Sequence, residues 1–133
     1  MKDTMAFQIA ALYRDFLSYA KKELKQLGLS FGLMPIVIYT GKHPGCAHSD
    51  MTRDMGLDWG YSQRSVSKLC DSDFLVKEFD ESSSCHRLSL TARGRQAFAV
   101  CHSVFSDWDQ MKEGTISAGE KELIIALLRK LAA

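Results

Sequence analysis

The chain has 133 residues, of which 46% are hydrophobic and 25% charged, and its formal net charge is +1. This length suits one domain with a hydrophobic core, and any nucleic-acid-binding surface must be a local patch because the overall charge is nearly neutral. No stretch reaches the roughly 18 apolar residues of a membrane span, and no apolar segment typical of a secretion signal follows the N-terminus. Cys46, Cys70, Cys85 and Cys101 show no Cys-x-x-Cys spacing, which favours free thiols in a reducing, cytoplasmic compartment.

Apolar residues spaced three and four apart predict a long first helix over about 5–27. They include Met5, Ile9, Leu12, Phe16, Leu24 and Leu27. Gly28 marks the expected end of this helix. A second helix is expected from about 31 to 40, with Pro35 in its first turn. The stretch 41–45 contains two glycines and a proline and is expected to be a loop.

Residues 48–75 predict two short helices around a turn at Gly56, which is a helix-turn-helix pattern. The second helix carries a row of small polar and basic residues that we expect to be exposed: Tyr61, Ser62, Gln63, Arg64, Ser65, Ser67 and Lys68. Two predicted strands, 75–79 and 86–90, follow around the polar segment 80–84. A hairpin directly after a helix-turn-helix is a wing, so the pattern predicts a winged helix-turn-helix.

Two further helices are predicted after the wing. Thr91 is the expected N-cap of the first, whose apolar stripe ends at Met111, and Gly114 breaks it. Ser117 and Glu120 have the spacing of a capping box and open a leucine-rich last helix. The predicted fold class is therefore mainly α with a small β-hairpin wing.

The first and last helices carry wide apolar stripes that a three-helix DNA-binding core cannot cover. Exposed stripes of this size usually mark an interface, and two-fold dimers are the commonest oligomers. We therefore expect dimerisation helices at about 1–28 and 97–133 around a winged helix-turn-helix at about 30–96. The alternative is that the terminal helices pack on each other within one subunit.

Several short motifs share their order and spacing with one family. They are Asp50-Met51-Thr52, Met55-Gly56-Leu57, Lys68-Leu69 and, after the wing, Leu90-Thr91-Ala92-Arg93-Gly94. In this order they resemble the MarR family of transcriptional regulators, and Arg64 matches the recognition-helix arginine of that family. Helices at both ends of the chain agree with the family's dimerisation region.

The resemblance implies a regulator that binds double-stranded DNA as a homodimer on a pseudo-palindromic operator. Repression is the favoured mode, and a small aromatic molecule or an oxidant is the expected effector that relieves it. Gln63 and Arg64 are expected to contact bases, because glutamine pairs with adenine and arginine with guanine in the major groove. Ser62, Ser65, Ser67 and Lys68 are expected to bind phosphates or base edges, and Tyr61 is a further expected DNA-binding residue. No cofactor and no membrane partner are implied.

The wing departs from the family pattern. Where relatives carry an Asp-Arg-Arg-like triplet at the tip, this chain has Ser82-Ser83-Ser84, and Arg87 is the candidate substitute as a DNA contact. Residues 61–95 hold six basic and five acidic groups, so phosphate affinity is expected to be modest. These departures motivate an alternative function, a winged-helix protein-interaction module with weak or no specific DNA binding.

Cysteine and histidine residues raise two other kinds of chemistry. His43, Cys46 and His48 lie in one loop, and the pairs Cys85-His86 and Cys101-His102 follow; zinc takes such ligands. Their spacing matches no standard zinc motif, so polar loop residues and half-buried thiols are preferred, and no metal site is predicted. Cys85 is the candidate redox residue, because neighbouring cations make a thiol more reactive.

Aromatic residues raise the possibility of an effector crevice. Tyr13, Phe31, Tyr39 and Trp108 could line one, but aromatic residues at helical spacing are more often core, so no ligand residue is assigned. No nucleophile–base motif, phosphate loop or pair of carboxylates is present. The sequence therefore predicts no catalytic residues and no enzyme.

Overall fold

The computed structural model describes residues 1–133 and contains six α-helices, one short 3-10 helix and a three-stranded antiparallel sheet. In chain order the elements are α1 (Met5–Lys25), the 3-10 helix (Phe31–Leu33), α2 (Met34–Lys42), β1 (Cys46–Ala47), α3 (His48–Asp54), α4 (Trp59–Asp71), β2 (Leu75–Asp80), β3 (Cys85–Leu90), α5 (Ala92–Met111) and α6 (Ala118–Ala132). No helix has the length and apolar character needed to cross a membrane. The predicted fold class, mainly helical with a hairpin wing, is confirmed.

Side-chain caps fix where four of the helices begin. The residues preceding α1, α4, α5 and α6 each accept a hydrogen bond from a backbone N–H of the first turn: Thr4, Asp58, Thr91 and Ser117. Each cap satisfies a donor that a helix start leaves unpaired. Ser117 and Glu120 form the predicted capping box, in which the backbone N–H of Glu120 donates to Ser117 Oγ at 3.1 Å.

The second helix begins later than the sequence predicts. Residues 31–33 form a 3-10 turn, and Pro35 lies in the first turn of α2, where a missing N–H is tolerated. The predicted loop 41–45 shrinks to residues 43–45. It leads into β1, a strand that the sequence pattern does not predict, and Gly45 makes this turn with a φ of +76°.

Strand β3 lies between β1 and β2, and both pairings are antiparallel. The register of the hairpin runs from Leu75 opposite Leu90 to Asp80 opposite Cys85, and residues 81–84 form the turn. β1 leads directly into α3, and β2 follows α4 after three residues. The sheet therefore holds both ends of the helix-turn-helix.

The core lies between α2, α5, the helix-turn-helix and one face of the sheet. Its fully buried side chains include Leu24, Ile36, Val37, Met51, Val66, Leu69, Phe74 and Leu88. α5 packs so closely on α2 that a Cβ at Gly41 would overlap the ring of Phe98. Only Ala20 and Leu24 are buried in α1, and no residue is buried in α6.

Candidate nucleic-acid interface

Helix α4 presents one polar face to solvent and buries the opposite face. Five of the seven contact residues predicted on this helix are exposed: Tyr61, Gln63, Arg64, Ser67 and Lys68. Between residues 59 and 70 the helix carries two cations, Arg64 and Lys68, and no acidic residue, whereas exposed aspartates stand at its two ends, Asp58 and Asp71. The positive charge of the exposed face is therefore confined to the middle of the helix.

Two of the predicted contact residues point into the protein. Ser62 is 0% exposed and Ser65 is 4% exposed. Ser62 lies four residues before Val66, and Ser65 lies four residues before Leu69, so the helical period places all four on the buried face. The prediction that both serines belong to the exposed surface is wrong, and the i, i+4 spacing is the signal that identifies their true position.

The start of α4 exposes two aromatic side chains. Trp59 is 47% exposed and its ring lies on that of His48, with 4.7 Å between the centroids; Tyr61 is 42% exposed. Asp58 caps the helix by accepting a hydrogen bond from the backbone N–H of Tyr61 at 3.0 Å. Trp59 is thus an exposed residue of α4 that the predicted contact set omits.

Arg87 is bound inside the wing. Its Nε donates to Asp80 Oδ2 at 2.8 Å, its Nη1 to the carbonyl oxygen of Gly45 at 3.0 Å, and its Nη2 to Ser83 Oγ at 3.2 Å. Asp80 also accepts hydrogen bonds from Ser82 and Ser83. Arg87, followed by these two serines, holds the pKa of Asp80 well below its usual range. The serine-rich tip is thus a hydrogen-bonded turn.

This arrangement gives Arg87 a structural role that the sequence does not predict. Its guanidinium holds the hairpin together, its contact with DNA stays a prediction, and residues 81–84 carry no cation. Lys77 of β2 is exposed and lies on the same face of the strand as Leu75, two residues along, which is the face next to α4. Lys77 is therefore a cation beside α4 that the predicted set omits.

Burial disfavours the reactive thiolate form of three of the four thiols. Burial raises the pKa of Cys46 and Cys70, and raises the pKa of Cys101 to about 11. Cys85 is half-buried on β3, with its Sγ 3.1 Å from Ser83 Oγ. Its redox role stays a prediction.

The histidine and cysteine residues that lie close together in the sequence form no candidate metal site. No group of three or more His, Cys, Asp or Glu side chains has a geometry that could hold an ion. His48 is buried and lies 3.0 Å from Ser62 Oγ, whereas His43 stacks on Tyr39 with 4.4 Å between the centroids.

The aromatic candidates for an effector crevice lie in different environments. Phe31 and Trp108 both pack on Phe16, with ring centroids 6.4 and 5.8 Å away. Tyr13 is exposed, and the Tyr39 hydroxyl donates to Asp54 Oδ2 at 2.6 Å. Two open cavities of about 280 and 350 Å³ lie beside residues 28–30, and of the four candidates only Phe31 lines either of them.

The terminal helices leave a large apolar surface exposed. Eleven large apolar or aromatic side chains of α1, α5 and α6 are 45–68% exposed: Met5, Ile9, Leu12, Tyr13, Phe105, Met111, Leu123, Ile124, Leu127, Leu128 and Leu131. α6 is anchored to α5 through an ion pair between Lys121 and Asp109 at 3.2 Å. The alternative in which the terminal helices cover each other within one subunit is wrong, because both apolar stripes remain open.

The fold and the exposed face of α4 define a winged helix-turn-helix protein of the kind that regulates transcription. No family model matches the chain. It is 35% identical to the HTH-type transcriptional regulator BilQ of Clostridium symbiosum (strain WAL-14163) over 132 residues, which are 98% of this chain and 92% of the relative. It is 27% identical over 124 residues to the regulator of the same name from Clostridioides difficile (strain CD3), covering 92% of this chain and 84% of the relative.

Two solved structures share the fold. The crystal structure of MarR superposes with a TM-score of 0.79 at 20% identity, covering 99% of this chain and 91% of that one. The Staphylococcus aureus MepR–DNA complex gives a TM-score of 0.78 at 17% identity, covering 97% of this chain and 94% of that one. The chain belongs to the MarR family of helix-turn-helix transcriptional regulators, and its relatives are regulators and not enzymes.

Proposed function

We propose that the chain is a sequence-specific DNA-binding repressor that acts as a homodimer on a pseudo-palindromic operator and is relieved by a small aromatic molecule or an oxidant. The observation that carries this proposal is the exposed face of α4, where Gln63, Arg64 and Lys68 are exposed on a capped helix and neither cation is held in an ion pair. A helix of this kind has the width of the major groove of B-DNA. The similarity in fold to MepR, which was solved in complex with DNA, supports DNA binding by this chain.

Within the groove, each exposed residue of α4 has a role suited to its chemistry. Arg64 can bind guanine with two hydrogen bonds, and Gln63 can do the same with adenine. Ser67 and Lys68 suit phosphate contacts, which set the position of the helix without reading sequence. Tyr61, at the start of the helix, offers both an apolar ring and a hydroxyl to the groove.

The second element of the proposal is the dimer. The exposed apolar stripes of α1 and α6 need a partner, and a second copy of the chain offers the same stripes across a two-fold axis. Two α4 helices related by this axis would read half-sites about 10 base pairs apart, one turn of the double helix.

The wing is expected to contribute little to affinity. Its tip has no cation, and Arg87 is occupied by Asp80, Gly45 and Ser83. Since each neutralised phosphate adds to the salt dependence of binding, a wing tip without free cations implies a shallow dependence. Lys77 is the wing residue best placed to reach a phosphate.

The effector would act on the packing of the terminal helices. The aromatic cluster of Phe16, Phe105 and Trp108 joins α1 to α5. A molecule that binds one arrangement of these helices better than another shifts the distance between the two α4 helices, and so shifts affinity. Oxidation at Cys85 would act instead on the wing.

The proposal is tested by fluorescence anisotropy with DNA from upstream of the chain's own gene and with unrelated DNA, in a salt series. We expect Arg64→Ala to weaken binding to the upstream DNA by about 10- to 100-fold, as loss of a bidentate base contact does. Lys68→Ala should weaken binding to both DNAs equally and lower the salt slope by about 1. If the folded, dimeric wild type shows no preference at any salt concentration, the protein-interaction module becomes the better description.

A further inference from the structure

Three buried polar side chains connect the two helices of the helix-turn-helix. His48 and Thr52 of α3 are 2% and 7% exposed, and Ser62 of α4 is 0% exposed. His48 Nε2 lies 3.0 Å from Ser62 Oγ, Ser62 Oγ lies 2.7 Å from Thr52 Oγ1, and Thr52 Oγ1 donates to the carbonyl oxygen of His48 at 2.8 Å. The hydrogen bonds therefore form a closed cycle that begins and ends at one residue.

Thr52 and Ser62 each have one hydroxyl proton to donate, and this determines the donor and the acceptor of every hydrogen bond in the cycle. A carbonyl oxygen only accepts, so the single hydroxyl proton of Thr52 is used toward His48. Ser62 must then donate its own proton to Thr52, which leaves Ser62 Oγ as an acceptor toward the imidazole. His48 therefore donates from Nε2, and its neutral form is the Nε2–H tautomer.

The surroundings of His48 favour the neutral imidazole. Burial, followed by the nearby charges of Lys77 and His86, lowers the pKa of His48. The ring of Trp59 covers the imidazole from the start of α4. No buried polar side-chain atom in the chain lacks a partner. A fully satisfied polar cycle is directional, whereas apolar contacts tolerate small rotations of one helix on another.

We propose that His48 is a positioning residue for DNA recognition, which fixes the orientation of α4 on α3 through the cycle with Ser62 and Thr52. This inference rests on the proposed function, in which α4 reads the operator. Ser62 lies two residues before Arg64 on the same helix, so the orientation that holds Ser62 also sets the direction of Arg64. Without the cycle, α4 can adopt several orientations on α3, and only one of them fits the operator. The apparent affinity for DNA then falls in proportion to the fraction of molecules in that orientation.

The first test needs no DNA. Long-range proton–nitrogen NMR of the free, full-length protein distinguishes the two tautomers of each histidine, and the His48 signals are assigned from their loss in His48→Gln. We expect His48 to be neutral and protonated at Nε2. A predominant Nδ1–H tautomer, or a fast average of both, would overturn the proposal.

The second test compares two substitutions at one position. Thr52→Val keeps the size of the side chain and removes the hydroxyl, whereas Thr52→Ser keeps the hydroxyl. We expect Thr52→Val to bind the upstream DNA about tenfold more weakly with an unchanged salt slope, because no phosphate contact is lost, while Thr52→Ser stays within about twofold of wild type. Equal affinities for Thr52→Val and wild type, or equal losses in both variants, would overturn the proposal.

Two controls distinguish a loss of the hydrogen-bonded cycle from a loss of folding. Circular dichroism confirms that each variant is folded, and Ser62→Ala, expected to show the same loss, replaces Thr52→Val if the latter does not fold. A wild type that fails to prefer the upstream DNA contradicts the proposed function, whereas the tautomer measurement decides the cycle by itself.

Discussion

Arg87 on β3 and Asp80 on β2 form a hydrogen-bonded ion pair across the wing, with Arg87 Nε 2.8 Å from Asp80 Oδ2. The same guanidinium binds the carbonyl oxygen of Gly45, which immediately precedes β1. One side chain therefore connects all three strands of the sheet. Because both partners are partly exposed, solvent weakens their charge attraction, and the fork-shaped geometry of the hydrogen bonds matters more.

Replacing this arginine with lysine is expected to loosen the wing. A compact ammonium group cannot reach the three acceptors that the planar guanidinium spans. We expect Arg87→Lys to lower the melting temperature and to speed amide hydrogen exchange in the hairpin. Arg14→Lys, a change at an exposed arginine of α1, serves as the control. Unchanged exchange at the hairpin amides in Arg87→Lys would contradict the structural role of Arg87.

The close contact between α2 and α5 makes Gly41 sensitive to a single methyl group. A Cβ at this position overlaps the Phe98 ring, so Gly41→Ala should destabilise the protein by about 1–3 kcal/mol, as overpacked cores do. Gly32→Ala is the matched control, because nothing lies within 4 Å of its Cβ position. Urea denaturation measures both, and equal stabilities for the two variants would show that the helices are not packed as described.

The apolar stripe on α6 gives a prediction about assembly. Leu127 is 50% exposed, and Leu127→Glu should produce a monomer, because a charge there cannot be buried in an interface. Arg129→Glu places the same side chain on the opposite side of the helix, two residues away, and should leave the dimer intact. Sedimentation velocity measures both.

Neither change should unfold the winged helix-turn-helix, since no residue of α6 is buried in the chain. The proposed interface would be wrong if Leu127→Glu remained dimeric, or if both variants dissociated equally.

The buried imidazole of His48 predicts a loss of stability in acid. Its pKa is lowered in the folded chain from the ordinary value of 6.5. As the pH falls through about 6.5, the unfolded chain binds a proton that the folded chain does not, so the free energy of unfolding decreases. Above that pH the folded and unfolded chains both hold a neutral His48, and this contribution to the pH dependence disappears.

Urea denaturation between about pH 8 and about pH 5.5 measures this effect. His48→Gln cannot titrate and should show a smaller fall in the free energy of unfolding over the same range. His43, His86 and His102 are exposed and remain in both proteins, so the difference between the two curves belongs to His48. Two parallel curves would contradict the prediction.

Local signals in the sequence were enough for most of the fold. The caps at Thr91 and Ser117 are formed by residues three apart, and the helical stripes and the polar hairpin turn are also read from near neighbours. β1 has only two residues, and it exists because of its pairing with β3, about 40 residues away in the chain. No local pattern encodes such a pairing.

The surface residues were harder to predict than the elements. Ser62 and Ser65 have side chains typical of a polar surface, but their hydroxyls are small enough to be buried, and Ser62 finds partners on α3. The sequence does not reveal the hydrogen-bond acceptors of Arg87, because Asp80 and Gly45 come close to it only when the sheet forms. The polarity of a side chain thus predicts exposure poorly where a long-range hydrogen bond can satisfy it.

The three-stranded sheet has a mechanical consequence for regulation. β1 enters α3 without a break, β2 leaves α4 after three residues, and β3 joins the two strands, with Arg87 linking the whole. The sheet therefore joins the helix-turn-helix and the wing into one structural unit. In the proposed homodimer, a change in the packing of α1 or α5 would move this unit as a whole, so affinity for the operator would depend on the distance between two such units more than on the shape of either.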